Sequence, residues 1–321
     1  MFKNRKIILI VASLLVVVVG MVGCSNKTDS VGGDENIRVT LVLDEGGVND
    51  QSFNQSAWEG AIKAKGEYGV DVTYLESKQE SDYLQTIETA IDNGSDLVVG
   101  VGFKLADKML EVSRAYPDTK FAMIDATYEE IPSNMSTVTF NEEEAGYLAG
   151  LVIGKMASAN VTKFGFIGGM DIPTVTQFAV GYEKALKEIN PKFELKTQIA
   201  NSFTDAAKGR AIANQMYNEG IETIFTTGGG VNIGVIESAK ELGKYVVGVD
   251  MPMSYLSPEQ VVTSALKNIN FGVENIIKET VEGNFKGGVN SVYDLANGGV
   301  GYEKTGLIPE EVAKFVDSKV R

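Results

Sequence analysis

Short apolar runs alternate with amphipathic stretches along most of the chain. The runs have the length of β-strands, and the stretches between them carry apolar residues at helical spacing. Near-continuous apolar strands that alternate with helices are typical of parallel sheets covered on both faces. The predicted strands are 38–43, 70–75, 97–101, 121–124, 164–167, 193–199, 223–226, 245–249 and 261–266. The predicted helices are 52–68, 83–94, 105–112, 143–157, 174–189, 205–219, 232–242 and 271–282.

This alternating pattern occurs twice in succession, which predicts an α/β chain with two similar lobes. The chain has 321 residues, whereas an ordinary domain has about 150. Length and pattern therefore agree on two lobes. After Gly287 the pattern predicts only short strands and turns.

The amino terminus has the layout of a secretory signal. Lys3, Arg5 and Lys6 precede an apolar run, which ends near Gly23 and Cys24. A small residue before a lone cysteine resembles a bacterial lipobox. We therefore expect residues 1–23 to be a lipoprotein signal peptide, Cys24 to be lipidated, and 24–36 to form a flexible tether. An uncleaved anchor, or a plain signal peptide with an incidental cysteine, are the alternatives.

Composition narrows the possible chemistry. The chain has no histidine, one cysteine and a formal charge of -14. A Ser-His-Asp or Cys-His site and a cysteine zinc site cannot be built from these residues. An acidic chain repels phosphate backbones, so a nucleic acid partner is not expected. We expect no catalytic residue, no metal and no cofactor.

Polar or aromatic residues follow most of the predicted strands. In open parallel sheets, ligands bind in the crevice at the carboxyl ends of the strands. If two such sheets face each other, a ligand can lie between them. The residues at these strand ends are Asp44, Phe103, Asp125, Phe203, Gly228, Asp250 and Lys267.

Two loops carry an aromatic residue close to the start of a helix. The loop 44–55 contains Gly46, Gly47, Asp50 and Phe53, and the loop 201–205 contains Phe203. Two phenylalanines from opposite lobes can hold a flat ring between them. The alternative is a tight turn in which Asp50 caps the helix while the phenylalanines pack in the core.

Charged residues at the strand ends suit a ligand rich in hydroxyl or N–H groups. Asp125 and Asp250 can accept hydrogen bonds from a ribose diol or a base, and Lys267 can donate to a ribose hydroxyl or to Asp250. The alternatives are helix capping, a structural salt bridge and an exposed lysine. The glycines at 228–230 lack the ending of a P-loop, so they favour close backbone approach to an uncharged ligand.

These segments together resemble the basic membrane protein family, the purine nucleoside receptor group of ABC-transporter substrate-binding lipoproteins. The resemblance rests on 44–55, 201–205, 228–230, 264–267 and the strand ends at Asp125 and Asp250. It implies a type I periplasmic-binding-protein fold, in which a three-segment hinge joins two doubly wound parallel-sheet lobes. Lobe 1 would comprise residues 37–140 and about 256–285, and lobe 2 residues 141–255 and about 286–321.

The resemblance also implies a role for each site residue. Phe53 and Phe203 would stack on the base, and Asp44 would shape the pocket floor. The base edge and the ribose would be bound by Asn49, Asp50, Asn54, Asp125, Gly228, Gly229, Asp250 and Lys267. The run Met-Pro-Met-Ser-Tyr at 251–255 departs from the more polar run of many relatives, which bears on ligand preference and not on class.

The expected function is therefore that of a monomeric, lipid-anchored receptor on the extracytoplasmic face of the cell membrane. It would bind a nucleoside and deliver it to ABC permease subunits. A pentose, an autoinducer-like furanose or an amino acid is the alternative ligand. A regulator of similar fold and a calcium-dependent nucleoside hydrolase are the alternative classes; the first needs a DNA-binding head where the signal lies, and the second needs an aspartate-rich metal loop.

Overall fold

Two six-stranded sheets organise the part of the chain that the structure, a computed structural model, describes: residues 36–320. Sheet 1 has the strand order β11-β5-β4-β3-β1-β2 and is parallel throughout. Its strands are β1 (Arg38–Leu43), β2 (Asp71–Glu76), β3 (Leu97–Val101), β4 (Lys120–Ile124), β5 (Met135–Phe140) and β11 (Val289–Tyr293).

Sheet 2 repeats this order with later strands, as β12-β10-β9-β8-β6-β7. It is parallel except for the antiparallel pair of β10 and β12. Its strands are β6 (Lys163–Gly168), β7 (Glu194–Ile199), β8 (Thr223–Thr227), β9 (Tyr245–Asp250), β10 (Val261–Lys267) and β12 (Val300–Tyr302). The two sheets are therefore topological equivalents along most of their width.

Helices cover both faces of each sheet. α1 packs with α8 and α2 with α3 in sheet 1, while α4 packs with α5 and α6 with α7 in sheet 2. Short 3₁₀ turns connect some of the elements. The α-helices are α1 (Phe53–Tyr68), α2 (Tyr83–Asp92), α3 (Ala106–Ala115), α4 (Glu142–Met156), α5 (Pro173–Ile189), α6 (Ala206–Asn218), α7 (Val231–Leu242), α8 (Ile269–Val281) and α9 (Glu310–Asp317).

The central strands are buried on both faces, which explains their continuous apolar sequence. Every residue of β3 and β8 is buried. The strands therefore leave mainly their carboxyl ends free for polar residues. The α/β fold class, with two parallel sheets flanked by helices, is confirmed.

The chain passes between the sheets three times. After β5 it enters α4 and sheet 2, after β10 it enters α8 and returns to sheet 1 with β11, and it then goes back to β12 and α9. We call residues 36–140 and 268–293 lobe 1, and residues 141–267 and 294–320 lobe 2. The boundaries expected near 256 and 286 do not coincide with these passages, because β10 pairs within sheet 2 and β11 within sheet 1.

Two elements differ from the sequence prediction. β5 was not predicted, because its sequence, Met-Ser-Thr-Val-Thr-Phe, has no continuous apolar run. The tail was predicted as strands and turns, yet it contains α9, whose residues Val312 and Val316 are buried against lobe 2. The expected signal peptide (1–23), Cys24 and the tether except for residue 36 lie outside the described residues. No helix within 36–320 is long and apolar enough to span a membrane.

Candidate functional site

A cavity lies where the carboxyl ends of the two sheets face each other. It contains about 620 Å³ of empty space, including its opening to solvent. All the predicted ligand residues except Asn49 and Gly228 line it: Asp44, Asp50, Phe53, Asn54, Asp125, Phe203, Gly229, Asp250 and Lys267. The structure thus brings together residues that are far apart in sequence.

Asn49 and Gly228 do not line the cavity. Asn49 is exposed on the loop before α1. The backbone N–H of Gly228 donates to Asn232 Oδ1 at 2.7 Å, and a Cβ at Gly228 would lie 2.9 Å from the Cβ of Val231. Gly228 is therefore required for the tight turn into α7.

Asp50 lines the cavity, but its carboxylate is occupied by the backbone. Its Oδ1 accepts from the N–H groups of Ser52 (2.9 Å) and Gln55 (3.0 Å), and its Oδ2 accepts from that of Asn54 (2.9 Å). These bonds satisfy N–H groups that have no partner within the first turn of α1. Burial raises the pKa of Asp50 to about 6. The capping role, left open by the sequence, is the one that these contacts support.

Asp44 and Phe53 lie side by side around Gly102. Asp44 Oδ1 accepts from Gly46 N at 3.0 Å and from Asn54 Nδ2 at 2.9 Å, and burial raises the pKa of its carboxyl group. Gly102 has a φ of 98°, and a Cβ there would lie 3.5 Å from the Phe53 ring. Glycine at this strand end leaves room for the ring beside the carboxylate.

Lys267 is buried at the centre of a charged and aromatic cluster. Its Nζ lies 2.5 Å from Asp125 Oδ1 and 2.9 Å from Glu142 Oε1, and its side chain is 2% exposed. Burial by itself would lower the pKa of Lys267, but the two carboxylates outweigh it and raise the pKa above its usual value. The exposed-lysine alternative is wrong. The contact with Asp125 joins lobe 2 to lobe 1.

Three phenylalanine rings also surround this ammonium group. Their centroids lie 5.3–5.9 Å from Lys267 Nζ, a distance at which the ring face attracts a cation. The rings belong to Phe53, Phe140 and Phe178.

Asp250 makes a second polar contact between the lobes. The hydroxyl of Ser52, in lobe 1, donates to Asp250 Oδ2. Burial raises the pKa of Asp250 to about 6, although Lys267 opposes this shift. Asp125 and Asp250 have φ values of 71° and 66°, in the left-handed region that aspartate tolerates better than most residues. Both turn the chain away from the sheet at equivalent strand ends.

Phe203 contacts lobe 1 through an aromatic and a cation. Its ring packs edge to face on Phe103, with centroids 6.2 Å apart, and Lys104 Nζ lies 5.6 Å from its centroid. Lys104 pairs with Glu45, which also accepts from the hydroxyl of Tyr83. Phe53 and Phe203 line the same cavity from opposite lobes.

Several residues of the cavity and its cluster were not among the predicted site residues. Glu142 is the first residue of α4, two residues after β5 ends, so the missed strand concealed it. Phe103 comes right after Gly102 at a predicted strand end, a position that was noted without a site role. The apolar wall of lobe 2, which contains Ile172, Val175, Phe178 and Val249, gave no signal in the sequence because such residues usually fill a core.

The polar groups of the site are suited to a polar ligand. Within residues 36–320 no group of three or more potential metal ligands comes together. The carboxylates, the lysine and the aromatic rings are suited to hydrogen bonding and stacking.

A family model described as "ABC transporter substrate-binding protein PnrA-like" matches residues 37–320. The chain is 33% identical to the "ABC transporter nucleoside-binding protein BmpA" of Lactococcus lactis subsp. cremoris, covering 99% of this chain and 98% of the relative. It is 37% identical to "Basic membrane protein A" of Borreliella afzelii, covering 92% and 91%.

A solved structure has the same architecture. It is an ABC transporter solute-binding protein from Aeropyrum pernix K1, with a TM-score of 0.79 and 29% identity over 88% of this chain and 85% of that one.

Proposed function

This chain belongs to the PnrA-like (Bmp) family of ABC transporter substrate-binding proteins, and from that premise we propose that it binds a purine nucleoside between its lobes for delivery to the permease. Members of the family are extracytoplasmic solute-binding proteins and not enzymes.

The observation that carries the proposal is the position of Phe53 and Phe203 in one cavity, each from a different lobe. An aromatic ring that stacks on a base contributes about 1–3 kcal/mol to binding. A simple sugar would use such flat surfaces less fully. The name of the Lactococcus lactis relative, which describes it as nucleoside-binding, points in the same direction.

The charge of the cavity favours a nucleoside over a nucleotide. Four aspartates line it, and the lining lysine, Lys267, is already paired with Asp125 and Glu142. A phosphate group would bring further negative charge into a site of low dielectric whose lining, among the described residues, offers no free cation to receive it. The same argument disfavours an amino acid, whose carboxylate also needs a cation.

The remaining parts of the proposal concern the cellular context. Cleavage after residue 23, lipidation of Cys24 and a tether at 24–36 would hold the receptor at the membrane while its lobes close on the ligand. We expect a monomer, because the ligand cavity is complete within one chain. Mass spectrometry of the mature protein from its native membrane would detect the diacylated Cys24.

Calorimetry tests the ligand. We expect purine nucleosides to bind and AMP to bind far more weakly. Phe53→Ala and Phe203→Ala should each weaken nucleoside binding about 5- to 150-fold, the equivalent of 1–3 kcal/mol. Phe271→Ala is the matched control, because Phe271 is exposed and packs against Tyr293 outside the cavity.

Three outcomes separate the alternatives. Binding of ribose with undiminished affinity in both phenylalanine variants would favour the pentose receptor. Release of free ribose from a nucleoside would favour the hydrolase. The absence of heat or competition with any nucleoside would refute the proposal.

A further inference from the structure

Thr227 has a buried hydroxyl group without a hydrogen-bond partner in the described part of the chain. It is the last residue of β8 in lobe 2, it is 4% exposed, and it lines the ligand cavity. Its Oγ1 is buried and has no hydrogen-bond partner among residues 36–320. Buried hydroxyls in proteins are normally paired, so an unpaired one at a ligand site calls for an explanation.

The preceding threonine shows what a structural hydroxyl looks like in the same strand. Thr226 Oγ1 donates to Asn232 Oδ1 at 2.8 Å, which ties the strand to the first turn of α7. Successive side chains of a strand point to opposite faces, so Thr227 does not share this partner. Its backbone is fixed instead, because its carbonyl accepts from Gly169 N at 3.0 Å.

The surroundings of Thr227 do not require a hydroxyl for packing. The lobe 2 wall of the same cavity also contains Val175, Phe178 and Val249. Valine has nearly the same shape as threonine and would leave no unpaired polar atom in such a wall. The unpaired hydroxyl therefore destabilises the empty protein, and a ligand that bonds to it removes this cost.

The position of Thr227 indicates which part of the ligand it meets. β8, β9 and β10 are neighbours in sheet 2 and end at Thr227, Asp250 and Lys267. The three strands are parallel to each other, and all three end residues line the ligand cavity. A hydroxyl, a carboxylate and an ammonium group thus form a row of polar groups at the ends of three neighbouring strands of lobe 2.

We propose that the Thr227 hydroxyl binds a sugar hydroxyl of the ligand and so completes this row. The inference rests on the proposed nucleoside function and adds a residue that recognises the sugar and not the base. Threonine is suited to this contact because its hydroxyl can both donate and accept.

The test is calorimetry on the full chain with a purine nucleoside and with the corresponding free base. Thr227→Val should weaken nucleoside binding about 3- to 10-fold, as expected for one neutral hydrogen bond, and should leave free-base binding unchanged. Thr227→Ser keeps the hydroxyl. Its nucleoside affinity should therefore be within about twofold of that of the unaltered protein, a smaller change than the loss of one hydrogen bond would cause.

Melting temperatures without ligand separate binding from folding. Thr227→Val should melt at or above the temperature of the unaltered protein, because it loses no protein hydrogen bond. Thr226→Val is the matched control and should melt lower, because it breaks the bond to Asn232.

Two results would overturn the inference while the proposed function stands: undiminished nucleoside affinity in Thr227→Val, or an equal loss for the nucleoside and the free base. A failure of the unaltered protein to bind any nucleoside would instead overturn the proposed function, and this inference with it.

Discussion

The two walls of the cavity satisfy their polar groups in different ways. In lobe 1, Asp50 is bonded to its own backbone loop, and Asp44 is bonded to Asn54 and Gly46. In lobe 2, Asp250 receives the hydroxyl of Ser52 from lobe 1, and Lys267 is shared between the lobes. Asp44 and Asp50 therefore find their partners within lobe 1, whereas Asp125 of lobe 1 and Asp250 of lobe 2 each pair with a residue of the opposite lobe.

This difference indicates how closure can be linked to ligand binding. A buried charge is costly unless a partner replaces the water that it loses. When the lobes separate, water can solvate Asp250 and Lys267. When they close, Ser52 and Asp125 take over, and a ligand can supply further partners. The loop that carries Asp44 and Asp50 is thus a preformed part of the cavity, whereas the contacts of Asp125, Asp250 and Lys267 respond to closure.

The largest expected effect comes from removing the cation that the lobes share. Lys267→Met leaves Asp125 and Glu142 buried without their ammonium partner. We expect the free energy of unfolding to fall by about 3–5 kcal/mol, measured by urea denaturation. The control is Lys184→Met, whose pair with Glu143 is exposed and should contribute about 0–1 kcal/mol. Equal small losses in both variants would contradict the shared-cation role.

A smaller effect is expected from the pH dependence of Asp250. Its pKa is raised from 3.8 to about 6 in the folded protein, so the folded state binds a proton more readily than the unfolded state between these values. This carboxyl therefore favours folding increasingly as the pH falls from 7 to 4. Asp250→Asn removes this contribution and keeps a residue that tolerates positive φ.

The measurement is the free energy of unfolding of both proteins at several pH values. The stability of Asp250→Asn relative to the unaltered protein should be highest at pH 7 and should decline by roughly 2–3 kcal/mol towards pH 4. A constant difference in stability across this range would show that folding does not raise the pKa of Asp250.

The smallest effect concerns the edge of the cleft, where Lys104 of lobe 1 faces the Phe203 ring of lobe 2. A cation–π contact of this kind contributes about 0.5–1 kcal/mol. Lys104→Met should therefore speed ligand release about 2- to 5-fold in stopped-flow experiments, and Lys104→Arg should restore the slower rate.

Lys155→Met is the matched control for this contact. Lys155 lies 4.2 Å from the ring centroid of Phe315, and both residues are in lobe 2. Its loss should leave ligand release unchanged. If both variants release ligand at the same rate as the unaltered protein, the contact between Lys104 and Phe203 does not hold the lobes together.

The sequence was sufficient to predict most of the strands and most of the cavity lining, because both depend on local signals. A parallel strand shows itself as an apolar run, and the residue after it must lie at the crevice. Asp44, Asp125 and Asp250 were found in this way. The doubled pattern likewise predicted two lobes.

Other features depend on contacts between distant residues and left no local signal. Glu142 belongs to a run of three glutamates that resembles an ordinary acidic helix start, and only the approach of Lys267 gives it a function. Long-range pairing decides that β10 joins sheet 2 and that β11 joins sheet 1. The expected lobe boundaries were misplaced because this pairing leaves no local signal. Thr226 and Thr227 are the same residue type in sequence, and only the folded structure shows that the hydroxyl of Thr226 is bonded and that of Thr227 is not, among the described residues.

The left-handed backbone at Asp125 and Asp250 restricts how this receptor can be retuned. Few side chains fit such a turn, but asparagine has the same size and tolerates the same conformation. Asp→Asn substitutions at these two positions could therefore remove negative charge from the cavity one elementary charge at a time, without a change in either loop. Natural substitutions at these two positions are restricted to the same few residue types.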